Sequence, residues 1–206
     1  MRIEAIRPST RQGGKTRIVF EDGSTLAVLP SVAADFGLCA GDVLDDEQLA
    51  QLQKSAAEAS AKNRAVRIIS TTGVTKRDLE RRLVQKGESA ENAKNAIQWL
   101  DELSLLDDAE VARQIVARGV ARGYGASRIR QMLYEKQVPR RYWDEALATM
   151  PEMDEALDDF LQKKLRGSTD RGEVQKAAQA AARRGFSWPE IKAAMGRYNA
   201  GIELEE

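Results

Sequence analysis

One stretch of this 206-residue chain concentrates basic side chains in a pattern suited to binding anions. Between Val111 and Arg141, eight basic residues stand against one acidic residue, Glu135, so the stretch has a formal net charge of +7. The eight are Arg113, Arg118, Arg122, Arg128, Arg130, Lys136, Arg140 and Arg141. Seven are arginines, whose planar guanidinium groups bind carboxylates and phosphates. The stretch therefore predicts an anionic partner, either a phosphate backbone or an acidic protein surface.

Spacing within this stretch indicates how a helix presents it. Arg118 and Arg122 lie four residues apart and share one helix face, while Val116 and Val120 form a neighbouring apolar stripe that can turn inward. Tyr124 stands between two glycines, which predicts an exposed turn where its ring could stack on a base or against a partner's backbone. A solvated charged face is the alternative interpretation, and the one-sided charge favours binding.

The chain lacks the residues that most enzymes use. It has no histidine, the commonest general base and metal ligand, and Cys39 alone can form neither a disulfide within the chain nor a zinc site. The pairs Asp45-Asp46 and Asp107-Asp108 stand where helices are predicted to begin, which favours capping over acid–base chemistry. Residues 13–16 (GGKT) lack the earlier glycine and the following helix of a phosphate-binding loop. We therefore expect no catalytic residue, no metal and no cofactor.

Composition is typical of a helical protein of the cytoplasm. Hydrophobic residues make up 42% and charged residues 31%, which fits amphipathic helices with exposed outer faces. The 32 basic and 32 acidic residues cancel, so no overall field draws the whole chain to nucleic acid. A single cysteine is typical of a reducing compartment, and no secretory signal or apolar run of ~20 residues is present. We expect a cytoplasmic monomer without membrane contact.

A unit of about 50 residues occurs three times and must position the basic stretch. The matching positions are Leu79, Leu83, Lys86, Gly87 and Ile97, then Ile129, Leu133, Lys136, Gln137 and Leu147, then Ala177, Ala181, Arg184, Gly185 and Met195. The second copy follows the first by 50 positions and the third follows by 48. Such a period predicts a mostly α-helical, elongated and curved array of three-helix repeats, with helices of about 10–16 residues.

The predicted organisation places a small β element before the repeats. Strands on both sides of Asp22-Gly23 predict a hairpin that packs on the helices. The predicted segments are a β element at 1–44, a linking helix at 45–61, repeats at 62–104, 105–150 and 151–200, and a frayed tail at 201–206. Residues 53–62 (QKSAAEASAK) could form a solvated helix or a flexible joint.

Three segments of the chain resemble the RecX family of bacterial regulatory proteins. They are KRDLERRLVQKG (76–87), LDELSLLDDAEVARQIVARGVARGYGASRIRQMLYEK (100–136) and RRGFSWPEI (183–191). The resemblance covers residues 62–199 and is strongest in repeat two, although Gln137 replaces the glycine that ends the matching helix of repeat one. Three tandem three-helix repeats are also the architecture of that family.

The resemblance implies a non-catalytic partner of the RecA recombinase. Proteins of this family lie in the groove of the RecA–DNA filament and lower its ATPase, strand-exchange and coprotease activities in recombinational repair and the SOS response. The basic residues of repeat two and Tyr124 are then expected to contact RecA or DNA. The alternative is a stand-alone DNA-binding module whose second repeat contacts phosphates. A scaffold for some other acidic protein is a third hypothesis.

Overall fold

The computed structural model describes the backbone of residues 1–9 and 14–203 and the side chains of residues 1–9 and 14–199. The chain has two compact units, Met1–Leu106 and Asp107–Glu206. The first unit holds the predicted β element and repeat one, and the second holds repeats two and three. Gly13, the first residue of the GGKT segment, lies outside the described residues.

The first unit begins with a three-stranded antiparallel sheet in the order β1-β2-β3. β1 (Ile3–Pro8) pairs with β2 (Thr16–Phe20), and β2 pairs with β3 (Thr25–Val28). Gly23, in the turn between β2 and β3, has a φ of +81°, a conformation that glycine adopts without steric cost. These elements confirm the predicted hairpin. Because β2 follows Lys15 directly, the segment does not lead into a helix as a phosphate-binding loop does.

The sheet packs on the first helices of the chain. α1 (Pro30–Asp35) follows β3, and α2 spans Asp46–Ile69. The sheet and α2 share one buried cluster, which contains Ile3, Ile18, Phe20, Val28, Leu52 and Ala56. Three short strands need such packing to be stable, so α2 supports the sheet as expected.

Repeat one is completed by α3 (Lys76–Gln85) and α4 (Ala90–Glu102). α2 runs without interruption through residues 53–62, so this segment is a helix and not a flexible joint. A capping box of Asp45 and Gln48 begins α2. The Asp45 side chain accepts the backbone N–H of Gln48 at 2.7 Å, and the Gln48 side chain accepts the backbone N–H of Asp45 at 3.0 Å. The boundary predicted after residue 61 lies inside this helix, and the division of the chain into segments stays a prediction.

The second unit contains six helices within its described residues. They are α5 (Asp108–Ala121), α6 (Ala126–Glu135), α7 (Trp143–Leu147), α8 (Asp154–Leu165), α9 (Arg171–Arg183) and α10 (Trp188–Glu203). α10 extends into the stretch that was predicted as a frayed tail, and residues 204–206 lie outside the described residues.

The third helix of repeat two is shorter than predicted. α7 has five residues and follows a 3₁₀ turn at Arg140–Tyr142, whereas 10–16 residues were expected. Pro139 has no N–H to donate, and Pro151 disfavours helical backbone at the residue before it. The 11 residues between these prolines begin with the 3₁₀ turn and end in a turn, so α7 keeps only five of them. α2, with 24 residues, exceeds the range because it includes the predicted linking helix.

Each repeat buries two of the apolar positions that define the predicted period, and the third is partly buried. The residues at these positions that are fully buried are Leu79, Leu83, Ile129, Leu133 and Ala181, and Ala177 is 4% exposed. Three separate core clusters form, one within each repeat. The predicted fold class, mostly helical with three three-helix repeats and a small N-terminal sheet, is confirmed.

Candidate functional site

Four of the predicted basic residues line one groove between α5 and α6. Arg118 and Arg122 come from α5 and the residue after it, and Arg128 and Lys136 come from α6 and the residue after it. The groove has a volume of about 220 Å³, and Glu135 is the acidic residue of its lining. Four bases against one acid give this lining a formal net charge of +3.

A glycine on α5 explains why these side chains lie together. A Cβ atom at Gly119 would lie 2.5 Å from the Cγ1 atom of Ile129, so α6 packs directly on the α5 backbone. Below the groove, Ile129 and Leu133 are fully buried, and Val116 is 1% exposed. The apolar stripe predicted for α5 therefore turns inward, and the close approach places the basic residues of the two helices along one groove.

The groove's arginines keep hydrogen-bonding capacity for a ligand. Arg128 forms a 3.6 Å ion pair with Glu135, and because both side chains are at least one-third exposed, such a pair contributes about 0–1 kcal/mol. Arg118 donates from Nε to the carbonyl oxygen of Gln114 at 3.2 Å. Among the described residues, no carboxylate lies within ion-pair distance of Arg118 or Arg122, so both guanidinium groups are available to an anionic partner.

Tyr124 does not stand on an exposed turn as predicted. It is half-buried and packs against the core of repeat two. The guanidinium of Arg184 lies 5.9 Å from its ring centroid and 4.4 Å from that of Phe160 in α8. The same guanidinium donates to the backbone carbonyl oxygen of Arg122 at 3.5 Å. Tyr124 thus lines the groove as part of the contact between repeats two and three, which corrects its expected role as a free stacking platform.

Arg113 lies outside the groove and is held by two carboxylates. Its Nε donates to Oε2 of Glu110 at 3.0 Å, and its Nη1 lies 3.6 Å from Oε1 of Glu145. Hydrogen bonds from the side chains of Gln114 and Arg113 hold the pKa of Glu110 below its usual value, so the carboxylate stays ionised. The structure therefore does not bring Arg113 to the groove.

Three other predicted basic residues also lie outside the groove lining. Arg130 is exposed on α6. Arg140 stacks over the ring of Trp143 at 4.2 Å, and Arg141 stacks over the ring of Tyr142 at 4.7 Å. The nine predicted contact residues thus divide into five that line one groove and four that do not.

Sequence reasoning missed a second basic groove, which lies in repeat three between α8 and α9. It has a volume of about 780 Å³ and is lined by one acidic residue, Glu173, and five basic residues. The five are Lys163, Lys164, Arg166, Lys176 and Arg183. The charge total of residues 151–206, nine basic and 11 acidic, conceals this groove. The 48-residue offset places Lys176 at the position of Arg128 and is the signal that could have found it.

The groove of repeat two is equipped to bind an anion through charge-assisted hydrogen bonds. Its polar lining consists of arginine, lysine, tyrosine and glutamate side chains around Ile115 and Met132.

Within the part of the chain that the structure describes, no group of three or more cysteine, aspartate or glutamate residues is placed to hold a metal ion. In the same part, no helix has the length and apolar character that crossing a membrane requires.

Family models match both repeats of the second unit. Residues 107–147 match the model described as the second three-helix domain of RecX, and residues 152–195 match the third three-helix domain. The first match contains every residue that lines the groove between α5 and α6.

Relatives that match most of the chain carry the same family name. The regulatory protein RecX of Clostridioides difficile is 26% identical over 204 residues, which are 95% of this chain and 94% of that protein. The regulatory protein RecX of Vibrio campbellii is 30% identical over 139 residues, which are 66% of this chain and 90% of that protein.

Solved structures show the same fold. A crystal structure of a regulatory protein RecX matches 95% of this chain and 98% of its own, with 24% identity and a TM-score of 0.65. The crystal structure of RecX from Lactobacillus salivarius matches 71% of this chain and 99% of its own, with 20% identity and a TM-score of 0.63.

Proposed function

The chain belongs to the RecX family, and from that premise we propose that it is a non-catalytic regulator of the RecA recombinase. It binds the RecA–DNA filament in the cytoplasm as a monomer. There it lowers the ATPase, strand-exchange and coprotease activities of RecA during recombinational repair and the SOS response. The name of its relatives, regulatory protein, supports a regulatory role. The observation that carries the proposal is the basic groove of repeat two, inside the segment that matches the second RecX domain.

The groove supplies the contacts that such a regulator needs. A nucleoprotein filament presents DNA phosphates and protein carboxylates, and arginine binds both through a planar pair of donors. Because the whole chain has a formal net charge of zero, this local excess of positive charge directs one face of the second unit to the filament. A regulator bound there blocks filament growth or favours disassembly.

Charge reversal in the groove tests this proposal. The variant Arg118→Glu/Arg122→Glu removes two exposed guanidinium groups and leaves the core residues unchanged. Two lost charge-assisted contacts of about 1–1.5 kcal/mol each weaken binding roughly 30- to 150-fold. We expect the concentration that half-inhibits the single-stranded-DNA-dependent ATPase of RecA to rise by that factor, while the helical circular dichroism stays unchanged.

A matched control separates the groove from total charge. Arg77→Glu/Arg130→Glu makes the same change in net charge at two exposed arginines outside the groove, one in α3 and one in α6. We expect this variant to inhibit RecA within about threefold of the parent chain, a change of less than ~0.7 kcal/mol. Full inhibition by the groove variant would refute the assignment of the groove.

The second candidate function is a stand-alone DNA-binding module, which the same groove favours because its arginines suit phosphate contacts. Its affinity would fall steeply with salt concentration. Salt titrations of binding to naked DNA and to RecA-coated DNA separate the two functions. The regulator is expected to bind RecA-coated DNA more tightly at every salt concentration, and equal affinity for both would favour the stand-alone module.

A further inference from the structure

The first unit contains a basic cleft that the role of repeat two leaves unexplained. It has a volume of about 460 Å³ and lies between the start of β2, α2 and α3. Five basic side chains line it: one stands directly before β2, two lie in α2, one lies in α3 and one directly follows α3. They are Lys15, Arg64, Arg67, Arg82 and Lys86.

Two buried carboxylates orient part of this basic set. Glu88, whose side chain is 9% exposed, accepts a 2.7 Å hydrogen bond from Nε of Arg64. Asp78 is fully buried and forms a 2.8 Å ion pair with Nη2 of Arg82. Each arginine keeps further N–H donors, since a guanidinium has five. The two carboxylates therefore fix the directions of two arginines, and the other three basic side chains of the lining take part in neither ion pair.

The remaining bases extend this cleft toward solvent. Lys15 donates to the hydroxyl of Ser60 at 3.4 Å, which fixes its ammonium group at the edge beside α2. Arg67 and Lys86 are exposed. No carboxylate of the described residues lies within ion-pair distance of these two side chains. Both can therefore contact a ligand in the cleft.

The lining indicates the chemical class of that ligand. Asn63 adds an amide donor to the lining, whereas the hydroxyls of Ser60 and Thr71 already donate to Glu88 and Ile68. Amide, arginine and lysine donors together are typical of contacts to the phosphates of nucleic acids. None of the described residues that line the cleft is aromatic, so no ring is available to stack on a base. We propose that this cleft binds the phosphodiester backbone of nucleic acid, without reading its sequence.

The repeat architecture supports the proposal independently. The cleft lies between the first two helices of repeat one, and the groove of repeat two lies between the first two helices of its own repeat. Lys86 lines the cleft and Lys136, 50 positions later, lines the groove. The same position in two repeats thus presents a cation beside a basic groove, which is the pattern expected of modules that contact one kind of anion.

The test measures binding of the full chain to a fluorescein-labelled 20-nucleotide single-stranded DNA by anisotropy in a series of NaCl concentrations. The variant Arg67→Gln/Lys86→Gln removes two cleft charges and leaves the carboxylate-bound arginines in place. Loss of two phosphate contacts makes the slope of log K against log [NaCl] shallower by about 1.4, and binding at 0.1 M NaCl weakens roughly 25-fold. The control Arg77→Gln/Lys94→Gln makes the same charge change at exposed positions outside the cleft and is expected to leave the slope unchanged.

The proposal would be overturned by no binding of DNA by the parent chain, by a slope that both double variants share with the parent, or by displacement of DNA by polyglutamate as readily as by unlabelled DNA. The last result would assign the cleft to an acidic protein surface. ATP as a competitor separates the backbone from free phosphates, and displacement by ATP at micromolar concentration would contradict a polymer site. Because RecA is absent from this experiment, its failure would leave the proposed regulation of RecA untouched.

Discussion

Replacing Gly185 by alanine should disrupt the contact between repeats two and three. The backbone carbonyl oxygens of Arg184 and Gly185 accept the N–H groups of Gly125 and Ser127, at 3.0 and 3.1 Å. α6 has no side-chain cap, so these carbonyls satisfy N–H groups at its N-terminus. A Cβ atom at position 185 would lie 2.2 Å from the backbone nitrogen of Arg128. The alanine variant must therefore separate α6 from the turn that follows α9.

The expected cost has two parts. Gly185 has a φ of +92°, and a left-handed conformation costs alanine about 1–2 kcal/mol. Loss of the two backbone hydrogen bonds adds about 1 kcal/mol each. We predict a total loss of about 3–4 kcal/mol in the free energy of unfolding, or a fall of about 12–32 °C in the Tm of the second unit, Asp107–Glu206.

Gly87 supplies a matched control for the strain alone. It stands at the equivalent position of repeat one with a φ of +91°, but a Cβ atom there would have no neighbour within 4 Å. Gly87→Ala should therefore cost only about 1–2 kcal/mol. Thermal and urea unfolding followed by circular dichroism, fitted with one transition for each unit, measures both variants. Equal losses in the two variants would refute the proposed contact.

Two further substitutions test local interactions. Asp78→Ala should lower the free energy of unfolding, measured by urea denaturation, by about 2–3 kcal/mol. The reason is that this buried carboxylate holds the guanidinium groups of Arg81 and Arg82. A loss under ~0.5 kcal/mol would contradict a stabilising role of these ion pairs. Gln114→Ala should raise the pKa of Glu110 in an NMR titration, because the Gln114 amide hydrogen bond is the main cause of its depression. The ionised Glu110 carboxylate stabilises the fold above its ordinary pKa of 4.5 and loses this effect as the pH falls through its lower folded value. An unchanged pKa in the Gln114 variant would show that this hydrogen bond is not the cause.

The elements that could be predicted are those with short-range signals. Asp45 and Asp107 were predicted to stand at helix starts, and each side chain accepts the N–H three residues later. The strand-like segments on both sides of Asp22-Gly23 identified the hairpin because the turn and both strands lie within 14 residues. The predicted length of α7 was wrong because the segment between Pro139 and Pro151 begins with a 3₁₀ turn, which the residue pattern did not separate from the helix.

The candidate site depended on contacts between residues that are distant in sequence. Arg118 and Arg122 were assigned to one helix face correctly because they are four residues apart. The surroundings of Tyr124 could not be predicted, since Arg184 lies 60 positions later and reaches it through the packing of repeat three. Arg113 was counted as available because both of its carboxylate partners, Glu110 and Glu145, lie outside the stretch over which charge was summed.

One helix end keeps its backbone conformation in all three repeats although its residue type changes. Gly87, Gln137 and Gly185 all have positive φ, at +91°, +54° and +92°. Repeat two thus ends this helix with a left-handed residue although glutamine replaces glycine there. The backbone conformation therefore repeats more regularly along the chain than the residue types do.

The regulatory role itself is tested most directly by the ATPase rate of a preformed RecA filament on single-stranded DNA after the parent chain is added. We predict that the rate falls with the concentration of the chain to a low plateau, and that electron microscopy of the same samples shows fewer or shorter filaments. An ATPase rate and a filament length that stay unchanged at a saturating concentration of the chain would contradict the account.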